Sequence, residues 1–424
     1  MIAANYSDKK ENGSSLNSVN YVQDLKSKFH IPNGPDGREA IYFTGNSLGL
    51  QPKTARTYIE QEIDDWARLG VEGHMNARHP WLPYHEFVTE PMARVVGALP
   101  IETVVMNSLT VNLHLMMVSF FRPAGKRCKI VIEKGAFPSD RYAVVSQLGF
   151  HGLDPGSCLI ELTPRDGEAT LRTEDIIEAI EANGDQIALV LMGGVNYYTG
   201  QAFDMKAITE AGHRAGAVVG FDLAHAAGNL ELRLHDWDVD LAVWCSYKYL
   251  NAGPGAIAGA FVHERHSHSF GLPRFAGWWG HNKSTRFQMG PDFDPLPGAE
   301  GWQLSNPPIF QLAALRASLE IFDEVGMASL RTASIELTGH LEKLLKEMGS
   351  DRISIITPDD PAQRGCQLSI RVKDADRTLF DAITARGVVA DWREPDVIRV
   401  APVPLYNDLS DVSRFAEILR ACLT

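Results

Sequence analysis

The stretch Val243-Trp244-Cys245-Ser246-Tyr247-Lys248-Tyr249-Leu250-Asn251-Ala252-Gly253-Pro254-Gly255 sets one lysine at the end of an apolar run, just before a Gly/Pro-rich loop. A second apolar run, Ala217 to Phe221, ends in Asp222-Leu223-Ala224-His225. Short apolar runs bounded by turn residues read as buried strands, so an acid closes one strand and a lysine follows the next. That pair suits a pyridoxal phosphate site. A lysine amine forms the Schiff base, and an acid keeps the pyridine nitrogen protonated so that the ring accepts electrons. Taken singly, Lys248 reads as a surface lysine in a loop and Asp222 as an ordinary turn aspartate. Their order on consecutive strand-like segments is what points to a cofactor.

The same alternation extends to both sides. Thr173 to Asn183 reads as a helix, with Thr173 as its cap, Glu174 and Asp175 at the positive end and Gly184 as its stop. Ile187 to Met192 is then a strand, Asp204 to Ala215 a helix, Ala217 to Phe221 a strand. Leu241–Cys245 and Ala256–Val262 follow as two strands with only a loop between them, which predicts one antiparallel pairing. Strand-helix-strand alternation places the chain in the α/β class, with a mainly parallel sheet covered by helices. Phe270 to Pro308, rich in Gly, Pro and aromatics, is too long for a casual connection and reads as functional. Helices over 309–325 and 328–348 come next. Strand 366–372, helix 376–386, strand 398–400 and helix 411–422 then form a small α+β domain, with its boundary near 310 to 330.

Composition excludes several classes. The 424 residues are 45% hydrophobic and 22% charged, as in ordinary globular proteins, and allow two or three domains. A formal net charge of −13 argues against nucleic-acid binding through a basic surface. The five cysteines are odd in number and widely spaced, so neither a disulfide framework nor a cysteine-type zinc site is expected, and a reduced, cytoplasmic compartment fits. Residues 1–30 show no secretory h-region. The longest apolar stretch, Val104 to Phe121, is broken by Asn107, Ser108, Asn112 and His114, which argues against a membrane span.

Seven segments resemble the kynureninase family: Gly45-Asn46-Ser47-Leu48-Gly49-Leu50, Asn107 to His114, Phe137-Pro138-Ser139-Asp140, Phe221 to His225, Ser246 to Asn251, Ser305-Asn306-Pro307-Pro308 and Arg399 to Tyr406. They occur in the family's order from about residue 40 to 410. The resemblance implies the fold type I architecture of pyridoxal phosphate enzymes: a large domain with a mainly parallel seven-stranded sheet and a small C-terminal α+β domain. It divides the chain into a mobile tail (1–35), a segment packing with the small domain (36–70), the cofactor-binding domain (71–315) and the small domain (316–424). It also implies a homodimer with shared active sites. The implied activity is hydrolysis of L-kynurenine or its 3-hydroxy derivative, through a Schiff base, a quinonoid and a ketimine, to the anthranilate and L-alanine.

The resemblance further implies a role for each matched residue. Lys248 carries the cofactor and moves a proton at Cα; its amine must be neutral to react. Asp222 pairs with the ring nitrogen, and His225 supports the cofactor. Leu109 and Thr110 open a helix whose free N–H groups suit a phosphate. Phe137 stacks on the pyridine, with Pro138, Ser139 and Asp140 on the same loop. Tyr247 reaches the phosphate or moves a proton. Trp278 and Asn306 match cofactor positions, Trp278 from across the dimer. Arg399 holds the substrate carboxylate two-pronged. His74, Ser47, Ser305 and Asn306 surround the substrate, and the His and Asn types favour the 3-hydroxy compound. Gly193-Gly194 departs from members that carry a hydroxyl residue there, so neither glycine is counted in the site.

Three other readings compete. A cysteine desulfurase or an aminotransferase shares this fold; the desulfurase needs a mobile cysteine, and Cys366 lies in a strand-like alternation that makes it structural. His263, His266 and His268 have a loose zinc-like spacing. A cofactor-free structural protein is the third, and it leaves Lys248, Asp222 and Arg399 without a purpose.

Overall fold

The computed structural model describes residues 25–423. Its central sheet has seven strands: β1 (Thr103–Val105), β2 (Lys129–Glu133), β3 (Leu159–Leu162), β4 (Ile187–Gly193), β5 (Val218–Asp222), β6 (Leu241–Trp244) and β7 (Gly259–Val262). They lie in the order β1-β7-β6-β5-β4-β2-β3. Strand β7 runs antiparallel to both neighbours, and every other pairing is parallel. The mainly parallel sheet and the antiparallel pair expected from the sequence are therefore present.

Strand β4 explains why the sheet is sandwiched. Successive side chains of a strand face opposite sides. Val190 and Met192 join one core with Ile208 and Leu312, while Leu189 and Leu191 join the other with Leu113, Met116 and Val144. A strand apolar on both faces needs helices on both. Helices Glu86–Val96, Met205–Arg214 and Ile309–Val325 contribute to the first core, and helices Leu109–Phe120 and Pro138–Phe150 to the second.

A second, antiparallel sheet orders its strands Ile353–Ile355, Leu368–Val372, Val397–Val400 and Asp391–Arg393. Leu337, Leu341 and Leu345 of helix Met327–Glu347 pack on it with Phe415 of helix Leu409–Leu423. Ile41–Tyr42 adds a parallel pairing to Val388–Val389 beside this core.

Several boundaries move. Of the expected tail, residues 1–24 lie outside the described residues. Residues 25–35 are part of the packed chain: Leu25 and Phe29 are buried, and Phe29 meets the Tyr406 ring at 5.4 Å. Thr173 is the first helical residue, not the cap, which falls on Arg172. Strand β7 begins at Gly259 because Ala258 instead exchanges backbone hydrogen bonds with Met106 (2.8 Å) and Asn107 (2.9 Å). The 270–308 stretch holds three short 3-10 turns and is pinned by buried Trp279 and Trp302, with the Arg286 and Arg274 guanidiniums 4.5 and 3.8 Å from their rings. Among the described residues, no helix is long and apolar enough to cross a membrane.

Strands β2, β4, β5 and β6 deliver Glu133, Gly193, Asp222 and the Lys248 loop to one edge of the sheet. Ligands of open α/β sheets bind outside the carboxyl ends of the strands. The Lys248 loop is held from beneath by the Gly45–Leu50 segment. Gly49 N donates to Tyr247 O at 2.8 Å, and a Cβ at residue 49 would lie 2.2 Å from the Lys248 carbonyl oxygen. A side chain there would lift the lysine from its place, which is why the segment needs glycine.

Candidate active site

Leu109, Thr110, Phe137, Ser139, Asp140, Asp222, His225, Tyr247 and Lys248 line one cleft. Five further residues, Glu133, Gly193, Val195, Tyr197 and Ala224, complete its wall. Lys248 Nζ lies 3.1 Å from His225 Nε2 and 5.8 Å from the centre of the Phe137 ring. Burial, followed by the Lys248 charge, lowers the His225 imidazole pKa well below its ordinary value. His225 is therefore neutral, and a neutral imidazole can face an amine without charge repulsion.

The floor is acidic. Asp222 is buried, and its Oδ1 accepts from Ala224 N at 2.7 Å. Burial raises its carboxyl pKa. Burial, then the charge of Asp222, pushes Asp140 well above the usual carboxylate range. Like charges brought together in a dry site cannot all ionise, so neighbouring carboxyls share protons. Glu133 is pushed up to about 7 by burial. Burial also raises the Tyr247 hydroxyl, so it stays protonated and able to donate.

At the opposite wall, helix Leu109–Phe120 begins at Ser108 with no side-chain cap on its free N–H groups. The Thr110 and Ser139 hydroxyls meet there at 2.8 Å. An uncapped helix start flanked by hydroxyls is a cradle for a phosphate. His225 Nδ1 and Asp140 Oδ1 are shut off from solvent with no hydrogen-bond partner. Orphaned buried polar atoms in a cleft are what a polar ligand satisfies. An amine, a buried carboxylate, an aromatic face and an uncapped helix start match the aldehyde, ring nitrogen, ring face and phosphate of pyridoxal phosphate. The residues present fit the group.

Residues 330–419 match the family model described as the kynureninase C-terminal domain. The kynureninase of Koribacter versatilis (strain Ellin345) is 63% identical over 93% of this chain and 93% of its own. That of Myxococcus xanthus (strain DK1622) is 60% identical over 98% of this chain and 97% of its own. The chain belongs to the kynureninase family. It is a pyridoxal phosphate-dependent hydrolase of a carbon–carbon bond, cleaving kynurenine. Among solved structures, an apo cysteine desulfurase from Thermococcus onnurineus NA1 superposes with a TM-score of 0.76 at 17% identity, covering 94% of this chain and 97% of its own. A cysteine desulfurase from Escherichia coli reaches 0.76 at 15%, covering 95% and 98%. These likenesses give the fold alone, which is the fold type I arrangement.

Other kynureninase-like positions sit outside the cleft lining. Pro138 is the first residue of helix Pro138–Phe150, between two lining residues. Ser47 is exposed on the segment that carries Gly49. Arg399 is buried behind Tyr197, donating to its carbonyl oxygen and pairing with Asp391, while its Nε has no partner. His74, Trp278, Ser305 and Asn306 are not among the cleft residues of the same chain. His74 Nδ1 is 2.9 Å from Val71 O, Trp278 Nε1 donates to Arg286 O at 3.1 Å, and Ser305 and Asn306 are exposed. Gly193, left out on the sequence, does line the cleft through its backbone.

Two rival readings, the mobile cysteine and the histidine spacing, can be set against the geometry. Cys366 is buried, 3.4 Å from Ser334 Oγ, and burial pushes its thiol up to about 11, the opposite of a mobile nucleophile. His266 Nε2 is engaged 2.8 Å from Asp240 Oδ1, and His263 Nδ1 accepts from Arg265 N at 3.2 Å. Among the described residues, His263 comes together with Glu102 and His235 rather than with His266 and His268.

Proposed function

We propose that the chain hydrolyses L-kynurenine and 3-hydroxy-L-kynurenine to anthranilate or 3-hydroxyanthranilate and L-alanine, with the 3-hydroxy compound preferred. The observation that carries the reaction is the meeting of Lys248, Asp222 and the uncapped helix start in one cleft. The preference rests on the residue types His74 and Asn306. When bound, the cofactor supplies an electrophilic carbon and a sink for the electrons released at the substrate's Cα. Lys248 would hold the cofactor through its amine and would move a proton at the substrate's Cα, a role its position 3.1 Å from the neutral His225 allows. Asp222 would accept the hydrogen bond from the ring nitrogen and keep it protonated, Phe137 would cover a ring face, and Leu109 N–H, Thr110 and Ser139 would hold the phosphate. The protonated Tyr247 hydroxyl donates within the same cleft.

Arg399 binds the substrate carboxylate. Its buried guanidinium already pairs with the carboxylate of Asp391, and an orphaned Nε gives it a free donor. A lysine cannot reproduce a two-pronged contact. Arg399→Lys should raise KM for kynurenine roughly 10- to 100-fold, the worth of one charge-assisted hydrogen bond, with a smaller change in kcat. Steady-state kinetics check this; an unchanged KM removes Arg399 from substrate binding.

His74, Trp278, Ser305 and Asn306 act from the partner subunit of a homodimer, which reconciles their family match with their distance from the cleft lining. The cofactor domain begins near residue 71 and takes in the whole of helix Ile309–Val325, whose Leu319 and Phe322 lie in the first core, so the expected division at 315/316 moves past that helix; Ile41–Tyr42 of the 36–70 segment packs with the small domain. All five cysteines are free, in keeping with a cytoplasmic setting. The test is direct: incubate the purified, cofactor-loaded protein with each substrate and follow release of the two anthranilates. Both should form, with higher kcat/KM for 3-hydroxykynurenine. A better kcat/KM for plain kynurenine overturns the preference, no product overturns the activity, and sedimentation as a monomer overturns the shared site.

A further inference from the structure

Glu133 ends β2 with its carboxyl turned inward, and it is 4% exposed. It reaches across the end of β4, where Gly193 N donates to its two oxygens at 3.3 and 3.2 Å. Gly193 in turn pairs with Asp222 in the sheet register. A Cβ at residue 193 would lie 2.9 Å from Glu133 Oε1, so this glycine leaves room for the acid. Among the described residues, no lysine or arginine hydrogen-bonds or ion-pairs with Glu133. The titratable groups around it are carboxyls: Asp222 from β5, and Asp140 from helix Pro138–Phe150, with Lys248 beyond them. Residue 133 also borders a second cleft lined by Asn196, Tyr197 and Gln201. Burying a carboxyl with no cation costs free energy. Gly193 N alone does not require an acid, because a glutamine would still offer it one oxygen.

We propose that Glu133 is a positioning residue for the cofactor, acting through Gly193 and Asp222: it fixes the end of β4 and, when ionised, adds a negative charge behind the ring-nitrogen site. This rests on the reading that Lys248 and Asp222 hold the cofactor. The burial that pushes Glu133 up to about 7 places its change of charge near neutral pH. An anionic Glu133 favours positive charge on the bound cofactor and its lysine link, and a protonated one does not.

The test is a pH titration of the visible band of the cofactor-loaded protein, with and without Glu133→Gln. Glutamine keeps an oxygen for Gly193 N and never ionises. The midpoint should fall by about one pH unit in the variant. Superimposable titrations overturn the proposal. Should circular dichroism show that Glu133→Gln does not fold, Gly193→Ala serves instead, because its Cβ displaces the carboxyl; the midpoint should move in the same direction, and an unmoved midpoint again overturns the proposal. A lysine-type band that persists in Lys248→Ala would overturn the cofactor reading itself, an outcome distinct from the other two.

Discussion

Lys248→Ala should abolish the visible cofactor band and cut product release by at least a thousandfold. The amine has two duties in the proposed chemistry, and alanine removes both. General acid–base catalysis alone is worth about 10² to 10⁴, and loss of the covalent link adds to it. No other residue lining the cleft is a lysine, so no neighbour can take over the bond. His225, 3.1 Å away, can accept a proton but cannot form the link. The fold should survive, because Lys248 is half-buried and makes no ion pair among the described residues. Circular dichroism should therefore superimpose on the wild type while the absorption spectrum and the product assay collapse. A variant that keeps a tenth of the wild-type rate would show that another group carries the chemistry.

Lys248 and Asp222 were legible in the sequence for one reason. Each follows a short apolar run that had to be a buried strand, and their order in the chain became their adjacency in the sheet. The helix Met327–Glu347 was legible through the helical spacing of Leu337, Leu341, Leu344 and Leu345 and the glycine stop at Gly349. Glu133 was not. Lys129–Glu133 has only three apolar residues between two charged ones, against the unbroken uncharged run of β4, so no buried strand announces itself there. An acid closing such a run resembles any strand-to-turn carboxylate until Gly193 and Asp222 are seen beside it. Strand β1 has three residues, too few for a period-2 pattern. Tyr197 belongs to the wall only because the turn after β4 folds back over the cleft. His74, Trp278 and Asn306 show a different limit. Their assignment came from family resemblance, and nothing in their local spacing ties them to Lys248. The proposed two-subunit site would leave no local signal in either half.

Asp222→Asn should lower kcat about a thousandfold while raising the melting temperature of the cofactor-free protein. Both follow from one carboxylate. Asparagine keeps the volume and the acceptor for Ala224 N, which Asp222 Oδ1 meets at 2.7 Å. It is neutral, so it cannot hold the ring nitrogen protonated, and the electron sink weakens throughout the turnover. Without cofactor the same charge is a burden. Burial raises the pKa of Asp222, Asp140 and Glu133 together. A carboxyl whose pKa is raised on folding binds more protons in the folded state than in the unfolded one. Stability is then full below the ordinary carboxylate range and is lost as pH rises towards the raised value. As pH rises towards neutrality the wild-type apoprotein loses part of that stability, and Asp222→Asn removes one term of that loss. The stability gain should shrink on acidification, since the protonated wild type resembles the amide. Thermal melts of both apoproteins across pH, read beside the kinetics of the loaded enzymes, separate the two roles. If the variant lost activity and melted below wild type at every pH, Asp222 would be a structural residue whose charge the fold requires. If it melted higher yet kept its rate, the ring nitrogen would have another partner, and Asp140 stands nearest.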